Sequence, residues 1–527
     1  MSATAHPRLV LAIDHGTSGV RTALITTGGE ILGWVNRDTP TDHLPDGGVE
    51  QDPMGWWRAF LDGAAELLAL GLAEPSQLVA VAVSSTFSTT VACAADGRPE
   101  APAMTWLDCR GAPHVQRLMG GRIGFQGYGI QNVARWVPIT GGGPSLSGKD
   151  DIAHVLFWKH VQPQVYRDAR WFLGSKDWWN LKLCGRAAAS FDSNTLFWLS
   201  DNRDAADVRY HSGLAKKAGI DLHKLAPLVP APTVLGPLLP AVAATLGLPA
   251  DIPVVAGSAD LQSACIGSGA VRDYQAHLYL GTSSWLLCHV PFKRTDPLHA
   301  IASLPSSIPG RWFAANEQDM AGGCIDWLVR TLLYPPGPLG RGAPPPDLHA
   351  RLDAAVLSAA PGAGRVIFTP WLNGEKTPVD DHLLRGGFHN IGMTTSVEQL
   401  VRAVYEGVAL NTRWLLGHLE RFVGRRLEPV RAIGGGARSD AWCQVYADVL
   451  GRPIHRVAQP RLANARGAAL IAGVALGDIA FDTIPERVPV DARFEPNTKH
   501  SATYAQLFEA FLELHKGSRR VYHRLNG

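Results

Sequence analysis

The sequence predicts an α/β protein built from two similar halves, and three observations predict it. Short apolar runs alternate with longer segments of helical spacing, and a strand-turn-strand unit rich in Gly, Ser and Thr occurs twice. The two copies lie 265 residues apart, about half of the 527-residue chain. A chain of this length divides into about two to four domains. With 46% hydrophobic and 18% charged residues it has the apolar material for sizeable cores and too little charge for disorder.

The elements follow in order. The first apolar run, Arg8 to Ile13, ends in Asp14, His15, Gly16, Thr17, Ser18 and Gly19 before a second run from Val20 to Ile25. That pattern is strand, tight turn, strand. Gly55 to Leu70 has helical spacing, Leu78 to Ser84 reads as a strand, Ile152 to Val161 as a helix and Asp251 to Gly257 as a further strand. The repeat unit is Ala276 to Leu280, then Gly281, Thr282, Ser283 and Ser284, then Trp285 to Val290. Two such domains facing one another would set both turns beside one cleft. Val397 to Leu419 carries the stripe of a long buried helix. Gly434 to Ala437 separates a strand, Val430 to Ile433, from a helix beginning near Asp440, and Tyr504 to Tyr522 reads as an amphipathic helix that packs back on the body. The six prolines between Pro335 and Pro346 mark an exposed loop.

Composition excludes several functions. Lys plus Arg total 49 against 47 Asp plus Glu, without the basic excess expected of a nucleic-acid binder. The seven cysteines are odd in number, scattered and never spaced as CxxC, so neither a disulfide framework nor a zinc site is expected. No apolar run reaches the roughly 20 residues that span a bilayer. The N-terminal segment lacks the apolar stretch of a signal peptide, so the expected location is the cytoplasm, away from any membrane. There is no Walker A loop, no GxSxG and no HExxH. GGGARSDAW, from Gly434, places Ser439 where a dinucleotide fingerprint needs its third glycine.

What remains is a set of short motifs. The turn from Asp14 to Gly19 offers backbone amides and hydroxyls to anionic oxygens and a carboxylate to Mg²⁺; taken alone it reads first as a hairpin turn with Asp14 in an Asx-turn. Gly281 to Ser284 has the same two readings. Asp260 follows an apolar strand and precedes a small-residue helix, where a carboxylate can accept a proton from a substrate hydroxyl or simply cap the helix. Trp106, Asp108 and Arg110 offer an aromatic plate with polar neighbours, or a packed aromatic beside a structural ion pair.

The order of the motifs decides among these readings. AIDHGTSGVRTAL from Ala12, GGVEQDPMGWW from Gly47, TWLDCRG from Thr105, VVAGSADLQSACIGSG from Val254, LGTSS from Leu280, FTPWLNGEKTP from Phe368 with RGGF from Arg385, and IGGGARSDAWCQVYADVLGRPI from Ile433 together resemble the FGGY carbohydrate kinases over nearly the whole chain. The resemblance is xylulokinase-like and more distant to glycerol kinases. It implies two ribonuclease-H-like, actin-like ATPase domains, residues 1–270 and 271–527, flanking a catalytic cleft, and ATP-dependent phosphorylation of a small sugar, a ketopentose such as xylulose or a related sugar alcohol. Carried over residue by residue, it implies Mg²⁺ held through water by Asp14 and phosphate contacts from Gly16, Thr17, Ser18, Gly281 and Thr282. It places Gly435, Gly436 and Ala437 on the adenosine side, Asp260 as general base, and Thr86, Phe87, Trp106, Asp108, Asp260 and Gln262 at the sugar. Relatives commonly form homo-oligomers, and nothing in this sequence shows one.

The sequence departs from that pattern at three places. Ser84 to Thr89 (SSTFST) replaces the SGQMHG usual in xylulokinases and also lacks the Arg-Glu pair of glycerol kinases. Leu261 intervenes between Asp260 and Gln262, where Gln or Asn usually follows directly. Phe87 and Leu261 together imply a pocket less polar than a xylulose site. Asn464 stands where Glu is frequent, in a region expected to leave the catalytic residues untouched. The rival readings are a kinase of another polyol such as glycerol or a tetritol, a catalytically silent sugar- or nucleotide-binding regulator, and an actin-like filament protein.

Overall fold

The run after Arg8 is the strand Leu9–Gly16, buried at every residue but its last. Its unbroken apolar run from Leu9 to Ile13 fits a central strand covered on both faces. It turns through Thr17 and Ser18 into the antiparallel strand Gly19–Thr26, and Ile31–Asp38 completes the meander at one sheet edge. On the other side Leu78–Ser85 and then Pro253–Ala259 add in parallel, with Val234–Pro237 antiparallel at the far edge. The structure, a computed structural model, describes residues 6–125, 127–340 and 342–527.

The second half repeats that order. Ala276–Leu280 pairs antiparallel with Ser284–Val290, which pairs antiparallel with Trp312–Ala315. Val430–Ile433 and Ile454–Val457 add in parallel on the other side. Ile301–Pro305 and Thr295–Asp296 extend one edge, and Val490–Phe494 the other, to give eight strands. The same five strands, in the same order and senses, therefore head each half.

Parallel neighbours need a crossover connection, and helices supply it. In the first half Pro53–Ala69 starts with Pro53 at its first position, and the Asp52 carboxylate accepts a hydrogen bond from the Met54 N–H. In the second, Val397–Val423 opens on a capping box of Ser396 and Gln399 and ends at Gly424, whose φ is 75°. The expected helices at 152–161 and near Asp440 are Asp151–Val161 and Asp440–Leu450. The C-terminal helix Ser501–Asn526 does pack back: Tyr504, Leu507 and Phe511 enter one core with Trp371. The described residues of the proline-rich loop form no helix or strand, and Arg341 lies outside the described residues.

One helix crosses from the second half to the first. Ala465, Ala468 and Leu470 of Ala463–Ala475 share a core with Val10, Ala12 and Ala23 of the first sheet. This helix also lies directly on Asp260–Gly267. A Cβ on Gly267 would fall 1.7 Å from the Ala463 carbonyl oxygen, and one on Gly467 would fall 1.9 Å from that of Ser263, so only glycine permits the approach at either point. Arg466 fixes the crossing from inside, donating to the carbonyls of Gly29, Gly267 and Ala458. Among the described residues, no helix is long and apolar enough to cross a membrane.

Candidate active site

The first turn is held from several sides. Antiparallel register sets Asp14 opposite Arg21, and the Arg21 guanidinium donates to the Asp14 carboxylate at 2.8 Å. Asp14 is buried, which raises its pKa, while the charge and hydrogen bond of Arg21 and a hydrogen bond from Asn464 oppose the rise. Asn464 thus touches the expected metal ligand, which corrects the expectation that this departure leaves the catalytic residues alone. His15, one residue on, points the other way, against Trp56 and Trp179, with its Nδ1 2.9 Å from the Ser85 hydroxyl. Gln51 Nε2 donates to the Thr17 carbonyl at 2.7 Å and Trp106 Nε1 to the Thr17 hydroxyl at 2.9 Å. The EQDP stretch therefore caps a helix with Asp52 and steadies the turn with Gln51.

Asp260 is aimed by an irregular strand. Pro253–Ala259 gains one residue relative to Leu78–Ser85 between Val255 and Ser258. Gly257 lies in that bulge with φ of 71°, and a Cβ there would meet the Val83 carbonyl oxygen at 2.1 Å. The bulge frees the Ala256 carbonyl, which accepts from Lys176 Nζ at 2.9 Å and Asn180 Nδ2 at 2.8 Å. The Ala259 N–H donates to Asp192 at 2.9 Å, and Lys176 pairs with Asp177. A buried polar network thus holds the backbone on which Asp260 sits. Burial pushes the Asp260 pKa up to about 7; the N–H groups of Leu261 and Phe87 lower it, and the charges of Asp14 and Glu317 raise it further. The Leu261 N–H donates to Asp260 at 2.8 Å. A part-exposed carboxylate with a pKa near neutrality is suited to accept a proton.

The second-half turns meet one another. Gly281 and Thr282 follow Ala276–Leu280, and their carbonyls accept from the N–H groups of Gly322, Ala321 and Gly323. Gly435, Gly436 and Ala437 follow the neighbouring strand Val430–Ile433, and a Cβ on Gly436 would sit 3.0 Å from the Leu280 Cβ. The two expected nucleotide turns are thus adjacent. Ser439 caps Asp440–Leu450 by accepting from the Trp442 N–H at 3.0 Å. The residue that breaks the dinucleotide fingerprint is therefore a helix cap.

Trp106, Thr86 and Phe87 are part-exposed beside these groups, Trp106 through its bond to Thr17 and Phe87 through its N–H to Asp260. Two expected sugar contacts are corrected. Asp108 is fully buried, accepts from the Val49 N–H at 2.9 Å and pairs with Arg110 at 2.6 Å. Its carboxylate is enclosed and holds the loop that presents Trp106. Gln262 donates to the Pro305 carbonyl at 2.8 Å and accepts from the Ser307 N–H, so both ends of its amide clasp the second half. An Asp108→Asn variant should lose about 3 kcal/mol of stability, because it leaves a buried Arg110 with half its ion pairing. Chemical denaturation measures this, and an unchanged midpoint would show that the pair carries none of the loop.

Four functional candidates escape sequence reasoning. Arg21 had one signal, a lone charge in an apolar strand. Tyr279 stands two residues before Gly281, and its environment includes the charges of Asp260, Arg21, Asp14 and Arg461. Glu317 and Lys376 pair at 2.6 Å on the second-half wall, and both act on Asp150 in the first half. No local pattern joins two residues so far apart in sequence.

Comparison with known proteins agrees with this geometry. The N-terminal domain model of the FGGY family of carbohydrate kinases matches residues 9–267, and the C-terminal domain model matches residues 276–476. The chain is similar to a xylulose kinase of Escherichia coli K12, 29% identical over 516 residues that cover 96% of this chain and 99% of that protein. It is 28% identical to an erythritol kinase of Brucella abortus, covering 98% of each. A solved structure described as a xyloylose kinase from Brucella ovis superposes with a TM-score of 0.85 at 23% identity, covering 98% of this chain and all of that one. Two family models over most of the chain, on a fold whose halves repeat one sheet order, leave one conclusion: the chain belongs to the FGGY family of carbohydrate kinases and is a sugar kinase.

Proposed function

We propose that the protein transfers the terminal phosphoryl group of ATP to a hydroxyl of a small sugar, a ketopentose such as xylulose or the related sugar alcohol. The observation that carries this reading is that Asp260, with its pKa of about 7, follows a strand whose Ser258 lies across Ser84 from Asp14, so both carboxylates stand at the same end of one sheet. Full-length similarity to proteins named xylulose kinase supports the ketopentose.

In this reading Asp260 accepts the proton of the attacking hydroxyl. Trp106 and Phe87 line the sugar side, and the amides of the Gly16 to Ser18 and Gly281 to Thr282 turns receive phosphate oxygens. The donor set fits Mg²⁺: Asp14 is a single carboxylate with one oxygen engaged by Arg21, and no cluster of three metal-ligating side chains occurs among the described residues. An ion that keeps most of its waters and takes phosphate ligands suits such a site. When bound through water at Asp14, Mg²⁺ supplies neutralisation of the phosphate charge. The adjacent glycine turns from Gly435 to Ala437 take the adenosine.

A panel of ketopentoses, pentitols, tetritols and glycerol, read as sugar-dependent ADP release, tests the proposal. Saturable turnover with a ketopentose or its alcohol is expected. Saturation by a tetritol alone would shift the assignment to the second reading, which the erythritol kinase relative and the apolar Phe87 and Leu261 favour. Tight ATP binding with no acceptor phosphorylated would make the protein a regulator.

A further inference from the structure

We propose that Tyr279 is a catalytic residue of this kinase, its hydroxyl donating a hydrogen bond to a non-bridging oxygen of the phosphoryl group in transit. The inference rests on the kinase reading above and assigns a group that neither turn motif contains.

Tyr279 is the one part-exposed residue of the otherwise buried strand Ala276–Leu280. Its ring lies across the second turn: an ideal Cβ on Gly281 would stand 2.3 Å from the Tyr279 Cε1 and 2.7 Å from its hydroxyl oxygen. The missing side chain of Gly281 thus makes the room in which the phenol sits. The ring is fixed on its other face by Trp285, with centroids 4.0 Å apart and planes within 4° of parallel. A stacked aromatic pair of this kind leaves the hydroxyl little freedom to leave the turn.

The surroundings define what the hydroxyl faces. Burial pushes the phenol up to about 12, so it stays protonated and remains a donor, and the charges that act on it are those of Asp260, Arg21, Asp14 and Arg461. These are the candidate base, both members of the first-turn ion pair and one further guanidinium. Arg461 makes no hydrogen bond or ion pair through its side chain among the described residues, and the nearby cations Arg21 and Arg438 lower its pKa after burial does. Cations crowd together where an anion completes the site. Tyr279 makes no hydrogen bond through its hydroxyl among the described residues either. A neutral donor, held rigidly against the second turn by Trp285, unengaged, and in the field of the Asp14–Arg21 pair, is the arrangement that stabilises charge developing on a transferring group at no reorganisation cost.

In the step itself the sugar oxygen forms the new bond to phosphorus and its proton passes to Asp260. The bond from phosphorus to the bridging oxygen breaks, and its electron pair leaves on ADP. Tyr279 keeps its proton throughout.

Tyr279→Phe tests the assignment, since it retains the ring and its stacking and removes only the hydroxyl. The expected result is a fall in kcat of about 10²-fold, with the KM values for ATP and sugar within threefold and the melting temperature unchanged. A kcat within twofold of wild type overturns the proposal. A loss of thermal stability with kcat kept in the folded fraction also overturns it, because that is the signature of a buttress for Trp285. The wild-type chain assayed on the acceptor panel separates the two readings: turnover there with an indifferent Tyr279→Phe sinks only the phenol's role, whereas absence of any phosphorylated acceptor sinks both.

Discussion

Asp260→Asn is expected to fold, to bind ATP, and to lose sugar phosphorylation by about 10³-fold. The change removes proton acceptance while keeping an oxygen that can receive the Leu261 and Phe87 N–H groups. The wild-type pH profile should carry the same residue's mark. With a folded pKa of about 7, the carboxylate is progressively protonated below neutrality, so kcat/KM should fall tenfold per pH unit there and level off above. Stability runs the other way. The folded pKa lies above the ordinary carboxylate value of 3.8, so the stabilising contribution is full below that value and lost as pH rises through 7. At pH 8 the Asn variant should melt at or above the wild-type temperature. An Asp260→Asn enzyme that keeps near wild-type turnover would remove Asp260 from the base's role.

Gly267→Ala should have the largest effect on folding. Adding a methyl to a packed interior costs about 1 to 3 kcal/mol where side chains can yield. Here the obstacle is the Ala463 backbone oxygen at 1.7 Å, so the two helices must part, and the cost should exceed that range. The expected outcome is a large drop in melting temperature and in folded yield. Gly435→Ala serves as the comparison, because nothing lies within 4 Å of a Cβ there. It should fold normally and raise the KM for ATP. Equal melting temperatures for Gly267→Ala and wild type would mean that the helices are less closely packed than this crossing requires.

The elements nearest the chemistry were the most legible in the sequence. Leu9–Gly16 and Ala276–Leu280 are central strands whose burial forces largely apolar runs, and turns that bring backbone against neighbours demand glycine. Asp260 was legible as a carboxylate at the junction of strand and helix, although cap and base look alike there; the bulge at Gly257 and the network of Lys176, Asn180 and Asp192 distinguish them only in three dimensions. Asp108 and Gln262 fail for a related reason. A polar side chain beside a site motif reads as facing the ligand; the neighbouring Arg110 already hinted at the ion pair of Asp108, but Val49, Pro305 and Ser307, which complete the partners of these two, come from distant segments. Arg21 needed the strand register, and Tyr279 needed the empty side of Gly281.

The helix Ala463–Ala475 makes the two halves of this chain unequal as independent pieces. A fragment ending before it would leave Val10, Ala12 and Ala23 without this cover in the first sheet, and a fragment beginning after the first sheet would carry an alanine-rich helix buried only on the side of Ile433, Val457 and Ile484. Expressed singly, each fragment should aggregate or remain unfolded; expressed together, they should reassemble through the Gly267 and Gly467 crossing. Two halves that repeat the same five strands thus share one core through a single helix, so neither half closes its own interior alone.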